Sequence, residues 1–305
     1  MSSVKLIPGD NRDSLFDMAL RGIKVHSVVT DPPYVMDSVI ERFGRSTAAP
    51  AQHGRDGAFN RSSRRFIGKT WDASEIAWDA GFWKLVMDVM LPGAFCFAFA
   101  GPRTVDRQMS AMRAAGMVIY PLHVWSYATG LPKGHPSPRG DGWYFGAGAP
   151  KVDFEPIILA MKPIEHKTYK GNIEEFGTGD LNFSDRESGK FPSTVVQHPK
   201  ASKVDRAGCN HPTVKPIGLM QYLIRHITPP GGTVLDPFAG SGTTGEAALR
   251  EGFNCILMEA EPEYIEFLAQ RFDKSQKVDT DRNNPVLSEI GKVFLGLIGF
   301  PVGTG

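Results

Sequence analysis

Cysteine is scarce in this chain of 305 residues, and long apolar runs are missing from it. The three cysteines lie far apart and form no CxxC pair, so neither a disulfide framework nor a zinc site is favoured. No apolar run reaches the roughly 18 residues that a membrane-spanning helix needs, and no N-terminal signal peptide is visible. These absences predict a soluble protein of the reducing cytoplasm.

An excess of charge of either sign is also missing. Lys and Arg number 34 and Asp and Glu 33, so the formal net charge of +1 does not indicate a nucleic-acid partner. Residues 41–69 are a local exception, with seven basic and two acidic side chains and with Phe59 and Phe66 among them. This composition, in a predicted mobile loop over residues 36–70, suits phosphate contact and base stacking. A solvated loop without a ligand is the alternative. The basic residues are Arg42, Arg45, Arg55, Arg61, Arg64, Arg65 and Lys69.

Strand-like apolar runs alternate with helical patterns, which is typical of a parallel α/β sheet. Residues 25–30 are apolar on both faces, as a central parallel strand should be. Near the C-terminal end, strands are predicted over residues 233–236 and 254–259, each followed by a helix. Residues 73–90 have the spacing of one helix, and residues 118–127 read as one strand.

The tetrapeptide Asp31-Pro32-Pro33-Tyr34 follows the first of these strands at its carboxyl end, the edge at which open parallel sheets bind ligands. An exocyclic amino group on adenine or cytosine is a poor nucleophile because its lone pair is delocalised into the ring. The Asp31 carboxylate and the Pro32 carbonyl offer two acceptors for the amino hydrogens, and the prolines stiffen the turn. Tyr34 offers a face on which a flipped base can stack. Taken alone, the tetrapeptide is also compatible with an ordinary Asp-Pro turn.

A glycine-rich loop spans residues 236–244 between a predicted strand and a predicted helix. Its glycines allow close backbone approach, the helix start offers free N–H groups, and Glu259 can accept from a ribose. A simple tight turn or a nicotinamide dinucleotide site would share parts of this layout. Asp236 and Phe238 place a carboxylate and a ring in the cradle, and Pro237 removes an N–H that a pyrophosphate would use. Together with the tetrapeptide, these features favour S-adenosylmethionine.

The tetrapeptide comes first and the glycine loop last, an order that resembles the β class of DNA amino-methyltransferases, whose motifs are circularly permuted. The resemblance covers roughly residues 4–272. It implies a Rossmann-like methyltransferase fold: a doubly wound, mostly parallel α/β sheet of seven strands with inserted recognition loops. It also implies S-adenosylmethionine as cofactor, double-stranded DNA as partner, and methylation of adenine N6 after base flipping. Cytosine N4 is the close alternative, since the preference of Asp31 for adenine has exceptions. Two further alternatives are a non-catalytic nucleic-acid-binding protein that kept the fold and an NAD-dependent oxidoreductase.

The resemblance extends to further residues. His211 to Pro216 is similar to a family motif in which Thr213 and Lys215 would lie near the cofactor's methionine carboxylate, a solvated surface lysine being the alternative. Asp10 matches a family Gly-Asp and would accept from the cofactor adenine, or it caps a helix. The predicted cofactor residues are Asp10, Thr213, Lys215, Asp236, Pro237, Phe238, Ala239, Gly240, Ser241, Gly242, Thr243, Thr244 and Glu259.

The same resemblance predicts how the chain is divided. Residues 1–161 would form the catalytic half, 162–210 a target-recognition region, 211–275 the cofactor-binding half and 276–305 a C-terminal tail. A homodimer and a cognate restriction endonuclease are both compatible with this assignment. No membrane contact is expected.

Overall fold

A sheet of nine strands runs through the part of the chain that the computed structural model describes, which is residues 2–34, 75–129, 134–146, 150–184 and 191–272. Eight strands follow one another in the order β1-β11-β10-β2-β3-β8-β5-β9, and β4 also pairs with β8. All of them run in one direction except β8, which is antiparallel to its three neighbours. The strands are β1 (Val4–Pro8), β2 (Val25–Thr30), β3 (Met90–Phe99), β4 (Val118–Ile119), β5 (His123–Ser126), a separate hairpin of β6 (His135–Pro136) and β7 (Tyr144–Phe145), β8 (Phe154–Met161), β9 (Val195–Gln197), β10 (Thr233–Asp236) and β11 (Asn254–Glu259).

The sheet has nine strands rather than the predicted seven because two short strands carry little sequence signal. Residues 118–127, predicted as one strand, form β4 and β5, which pair with different parts of β8 on either side of Pro121. Proline has no N–H to give to a ladder and interrupts it. The strand β9 is three residues long and pairs with the edge of β5.

Helices cover both faces of the sheet, which confirms the doubly wound α/β fold. On one face α1, α2 and α3 pack their apolar sides around Leu15, Trp83 and Met112. On the other face α6, α7 and α8 pack around Leu223 and Leu268. Among the helices described, none has the length and hydropathy needed to cross a bilayer. The helices are α1 (Asn11–Leu20), α2 (Ala80–Val89), α3 (Val105–Ala114), α4 (Tyr169–Phe176), α5 (Lys203–Arg206), α6 (Ile217–Ile227), α7 (Thr243–Arg250) and α8 (Pro262–Phe272).

The helix predicted over residues 73–90 is shorter than its periodicity suggested. A short 3₁₀ segment occupies Glu75–Trp78, and Asp79 then caps α2 by accepting from the Gly81 N–H at 2.7 Å. The helix ends at Val89, and β3 begins at the next residue. Pro92 and Gly93 therefore lie within β3 rather than in a linker. An Asp carboxylate at a helix start satisfies an N–H that would otherwise lack a partner, and so sets the boundary.

The centre of the sheet contains its topological switch point. The adjacent parallel strands β2 and β10 pair through Ser27 with Val234 and through Val28 with Leu235. From β10 the chain enters α7 on one face, whereas α2, the first long helix described after β2, lies on the other face. The diverging connections leave a crevice at the carboxyl ends of these two strands, which is where doubly wound sheets bind ligands.

Candidate active site

The two motifs found in the sequence meet in this crevice. The hydroxyl of Thr30, the last residue of β2, donates to Asp236 Oδ1 at 2.8 Å, so the starts of the tetrapeptide and the glycine loop are joined directly. Together they line a cavity of about 250 Å³. Its wall includes all four tetrapeptide residues and, except for Gly242, all the predicted cofactor residues. The tetrapeptide and the glycine loop are therefore adjacent, as expected for segments that follow neighbouring parallel strands.

Asp236 links three segments that line the crevice through hydrogen bonds. Its carboxylate is buried and accepts from the hydroxyls of Thr30 and Thr244 and from the backbone N–H of Phe238 at 3.0 Å. Burial raises the pKa of Asp236 to about 6, although the three hydrogen bonds act to lower it. The carboxylate thus holds the end of β2, the turn after β10 and the first turn of α7 in one arrangement.

Replacement of Asp236 by asparagine tests this role through pH. Because its folded-state pKa of about 6 lies above the ordinary aspartate pKa of 3.8, a proton on Asp236 favours the folded state, and that contribution is lost as pH rises through about 6. Asparagine can accept from Phe238 and donate to Thr244 without titrating. In denaturant titrations, the parent is expected to lose free energy of unfolding relative to Asp236→Asn between about pH 4 and about pH 7. A difference between the two proteins that does not change with pH would contradict the assignment.

Left-handed glycines shape the cradle beyond Asp236. Gly240 and Gly242 have φ of +49° and +74°, a region that residues with a side chain rarely adopt. A Cβ on Gly240 would lie 3.0 Å from the His211 ring, and a Cβ on Gly242 would lie 2.4 Å from Leu268 Cδ2. The backbone of the loop therefore passes closer to its neighbours than any larger residue allows, and it leads directly into the N–H groups that begin α7. This geometry fits a cofactor that carries a carboxylate and a ribose.

Glu259 stands at the end of β11 beside this loop. Its carboxylate accepts from the backbone N–H groups of Gly240 at 2.8 Å, Ala260 at 3.0 Å and Glu261 at 2.9 Å. Burial raises the pKa of the Glu259 carboxyl, while these hydrogen bonds oppose the rise. A carboxylate has about four acceptor positions. The three bonds leave room for a ribose hydroxyl, which is the predicted role of Glu259.

Asp10 caps the helix α1, which was one of its two predicted roles. Its side chain accepts from the Arg12 N–H at 2.7 Å at the start of α1. Asp10 also lines the cavity beside Gly9, so capping does not remove it from the site. Its predicted contact with a cofactor adenine stays a prediction.

A buried ionic cluster, which we call the carboxylate–lysine cluster, lies beside the tetrapeptide. It consists of Asp31, Tyr34, Glu155 and Lys215. The Lys215 ammonium group donates to Asp31 Oδ2 at 2.6 Å and lies 3.2 Å from Glu155 Oε2. The Tyr34 hydroxyl donates to the same Glu155 oxygen at 3.2 Å. Asp31 Oδ1 is buried and accepts no hydrogen bond within the described part of the chain.

The charges of this cluster are coupled. Burial raises the pKa of Asp31, Lys215 opposes that rise, and Glu155 adds to it. Burial by itself would lower the pKa of Lys215, but the two carboxylates outweigh it, so the pKa is raised and the ammonium form is retained. Burial and both carboxylates raise the pKa of Tyr34 well above its usual value. One buried cation is therefore shared between two anions, and it opposes the rise that burial causes in the pKa of Asp31.

The surface-lysine alternative for Lys215 is wrong, because this residue is only 6% exposed. Its ammonium group contacts protein carboxylates, and its predicted contact with a cofactor carboxylate stays a prediction. Thr213 lies close by, with its hydroxyl 3.4 Å from His211 Nδ1. The His211 ring packs against Tyr264 at 4.8 Å between centroids, and both rings line the cavity.

Sequence reasoning missed Glu155, His211 and Tyr264. His211 begins the segment in which Thr213 and Lys215 were predicted as cofactor residues, so the motif itself could have identified it. Glu155 is the second residue of β8, where no sequence motif marks it, and Tyr264 lies on a helix with no other site residue. The predicted DNA contacts Arg42, Arg45, Arg55, Arg61, Arg64, Arg65 and Lys69 lie outside the described residues, so their role stays a prediction.

Comparison with known proteins identifies relatives of this chain. YhdJ, a DNA adenine methyltransferase of Escherichia coli (strain K12), is 33% identical over 131 residues, which cover 39% of this chain and 45% of YhdJ. The chain spans 45% of the length of YhdJ, 39% of the type II methyltransferase M.BglI of Bacillus subtilis and 34% of the type II methyltransferase M2.DpnII of Streptococcus pneumoniae.

Two solved structures show the same fold. The complex of M1.HpyAVI with SAM has a TM-score of 0.56 at 19% identity, covering 88% of this chain and 98% of that chain. The PvuII DNA methyltransferase, described as cytosine-N4-specific, has a TM-score of 0.56 at 17% identity, covering 97% and 94%. The sheet order and these likenesses confirm the Rossmann-like methyltransferase fold. The model of a DNA methylase family, N6_N4_Mtase, matches residues 25–271, which is most of the chain, and the chain therefore belongs to the N6/N4 DNA methylase family.

Proposed function

We propose that this chain transfers a methyl group from S-adenosylmethionine to the exocyclic N6 of adenine in DNA, after the base has left the duplex. The observation that carries the proposal is the buried Oδ1 of Asp31, which has no hydrogen-bond partner among the described residues and belongs to a residue lining the same cavity as the glycine loop. An open carboxylate acceptor and a cofactor cradle are the two parts that methylation of an amino group requires.

The tetrapeptide supplies the acceptor half of the site. Asp31 Oδ1 accepts one amino hydrogen, and the carbonyl of Pro32 accepts the other, so the lone pair localises on nitrogen. Lys215 donates to Asp31 Oδ2 at 2.6 Å, which favours the ionised carboxylate and fixes its orientation before the base arrives. The ring of Tyr34, which lines the same cavity, offers the stacking surface for the base.

The glycine loop supplies the cofactor half. Bound S-adenosylmethionine would contribute an electrophilic methyl group on a sulfonium centre. The residues that would hold it are the loop from Asp236 to Thr244, with Glu259 toward the ribose, Asp10 toward the adenine and Thr213 toward the amino-acid end. The role of the protein is then to align the amino nitrogen with that methyl group and to exclude water.

Adenine is preferred to cytosine for two reasons. The tetrapeptide begins with Asp rather than Ser, and YhdJ is described as an adenine methyltransferase. The likeness to the PvuII enzyme keeps cytosine N4 as the alternative. The order of the motifs, with the tetrapeptide before the glycine loop, supports assignment to the circularly permuted β class and its Asp-Pro-Pro-Tyr type.

Double-stranded DNA is the proposed partner. We place phosphate contacts in residues 36–70 and target recognition in residues 162–210, between a catalytic half (1–161) and a cofactor half (211–275). Within residues 162–210 the structure describes α4, α5 and β9, and β9 pairs with β5 at the edge of the sheet. A homodimer, a cognate restriction endonuclease and a cytoplasmic location stay predictions.

Product analysis tests the proposal. Mixed-sequence duplex DNA is incubated with the protein and isotope-labelled S-adenosylmethionine, digested to nucleosides and separated by chromatography. We expect the label in N6-methyldeoxyadenosine. Label in N4-methyldeoxycytidine would replace adenine by the alternative target, and failure to label DNA of any sequence, including genomic DNA from a methylase-free host, would contradict the activity.

Cofactor identity is tested separately by heat. A ligand that binds the folded state stabilises it, by about 3 kcal/mol at a hundred times its Kd. S-adenosylmethionine and its demethylated product are both expected to raise the melting temperature, whereas NAD is expected to leave it unchanged. A shift with NAD alone would favour the oxidoreductase alternative.

A further inference from the structure

Glu155 lies in the carboxylate–lysine cluster without any role so far. It is the second residue of β8, the antiparallel strand of the sheet, and it pairs with Trp125 of β5. Because β8 runs against its neighbours, its beginning reaches the edge at which the parallel strands end. Glu155 thereby meets Lys215 and Tyr34, although it lies more than a hundred residues from the tetrapeptide in the sequence.

Glu155 contacts Tyr34 of the tetrapeptide directly and is linked to Asp31 through Lys215. One oxygen, Oε2, contacts the Lys215 ammonium group at 3.2 Å and accepts from the Tyr34 hydroxyl at 3.2 Å. The side chain of Glu155 is 19% exposed and that of Lys215 is 7% exposed, so solvent screens their interaction poorly. The ammonium group also lies over the rings of Tyr34 and Phe99, at 5.4 Å and 4.8 Å from the centroids.

We infer that Glu155 is a positioning residue for methyl transfer. It shares the Lys215 ammonium group with Asp31 and anchors the Tyr34 hydroxyl, so that Asp31 Oδ1 stays available to the amino group of the target base. This inference rests on the proposed function. Without the second carboxylate, the whole charge of Lys215 acts on Asp31. Without the Tyr34 anchor, the stacking ring is free to turn away from the acceptors.

The negative charge of Glu155 has a consequence for pH dependence. Asp31 must be ionised to accept the amino hydrogen, so transfer fails at acid pH as Asp31 takes up a proton. The charged and titratable groups that act on Asp31 are Lys215 before α6, Glu155 on β8, Tyr34 after β2 and Asp236 at the end of β10. Tyr127 after β5 faces Glu155 and Lys215 instead. Among these, Lys215 lowers the pKa of Asp31 and Glu155 raises it.

The variant Glu155→Gln separates charge from shape. Glutamine keeps an oxygen that accepts from Tyr34 but removes the charge that repels Asp31. We expect the acid limb of the single-turnover rate of methyl transfer to move to lower pH. The variant Lys215→Gln is expected to move the same limb to higher pH. In Glu155→Ala, which also loses the Tyr34 anchor, the plateau rate is expected to fall roughly tenfold to a hundredfold.

A matched control removes a nearby carboxylate outside the cluster. Asp153 lies two residues before Glu155, pairs with Lys151 at 3.1 Å and is 42% exposed. In Asp153→Asn the acid limb is expected to stay where the parent has it. A shift in this control equal to that of Glu155→Gln would mean that general charge, and not the cluster, sets the limb, and would overturn the inference.

A readout that does not need methylation distinguishes failure of the inference from failure of the proposed function. In protein with isotope-labelled aspartate, the carboxyl carbon resonance of Asp31 is identified by its absence from Asp31→Asn. Its titration midpoint is expected to fall in Glu155→Gln and to rise in Lys215→Gln. Unchanged midpoints in correctly folded variants would overturn the inference even if the parent methylates DNA. Shifted midpoints in a protein that methylates nothing would retain the coupling and discard the proposed function.

Discussion

Replacement of Asp31 by alanine is expected to reduce methyl transfer roughly a thousandfold, while cofactor binding changes little. The loss has two parts, because the variant lacks the acceptor Oδ1 and also releases Lys215 from its 2.6 Å contact with Oδ2. Folding should survive, since Lys215 retains Glu155 as a partner at 3.2 Å and so is not left as an unpaired buried charge. Single-turnover transfer and calorimetric binding of S-adenosylmethionine measure the two effects separately.

Asparagine at the same position gives a sharper test. The Lys215 ammonium group has only hydrogens to offer, so an asparagine would turn its oxygen toward Lys215 and its amide hydrogens toward the target amino group. Two donors would then face each other. Asp31→Asn is therefore expected to be about as inactive as Asp31→Ala, despite its matched shape. The control is Asp88→Ala, which removes an exposed carboxylate paired with Lys84 and should leave transfer unchanged. Transfer within about tenfold of the parent in either Asp31 variant would contradict the role assigned to this carboxylate.

Alanine in place of Gly242 is expected to be among the most destabilising changes in the cofactor half. The new Cβ would lie 2.4 Å from Leu268 Cδ2 and 3.0 Å from Phe272 Cε2, both of them in the core under the glycine loop. It would also force a left-handed backbone at φ +74° on a residue with a side chain. Overpacking and backbone strain together suggest a loss of about 3 kcal/mol in the free energy of unfolding. Because Gly242 is the N-cap of α7, S-adenosylmethionine binding should weaken as well.

A second glycine separates the two causes. Gly252 also has a left-handed backbone, at φ +81°, but a Cβ there would meet nothing within 4 Å. Gly252→Ala therefore carries the backbone cost alone, about 1 kcal/mol, and should leave cofactor binding intact. Denaturant unfolding of both variants measures the difference. Equal losses in the two variants would show that the contact with Leu268 and Phe272 relaxes, and that the loop does not need its close approach.

Much of the fold follows from local pattern. The runs at β2, β10 and β11 are apolar on both faces, and the segments between and after them have helical spacing, so the parallel layers were predictable. Prediction failed where the local signal was weak or a single residue interrupted it. Pro121 divides one predicted strand into β4 and β5, and the Asp79 cap shortens a predicted helix.

The candidate site divides in a similar way. Asp31, the glycine loop and Glu259 were predictable, because each follows a strand and carboxyl ends of parallel strands share one edge. Their joint position is seen in the contact of Thr30 with Asp236 at 2.8 Å. Asp10 was open between two roles, and the structure establishes its helix-capping contact.

The sequence by itself determined the family, the α/β architecture and the two motifs that face each other, because these depend on residue order and short-range periodicity. The tertiary structure alone decided that Lys215 is buried against Asp31, that Glu155 shares it, and that Asp31 Oδ1 is buried without a hydrogen-bond partner among the described residues. The physical reason lies in β8. An antiparallel strand brings its first residues to the edge where the parallel strands end, and nothing in the neighbouring sequence of Glu155 records which charges it will meet there.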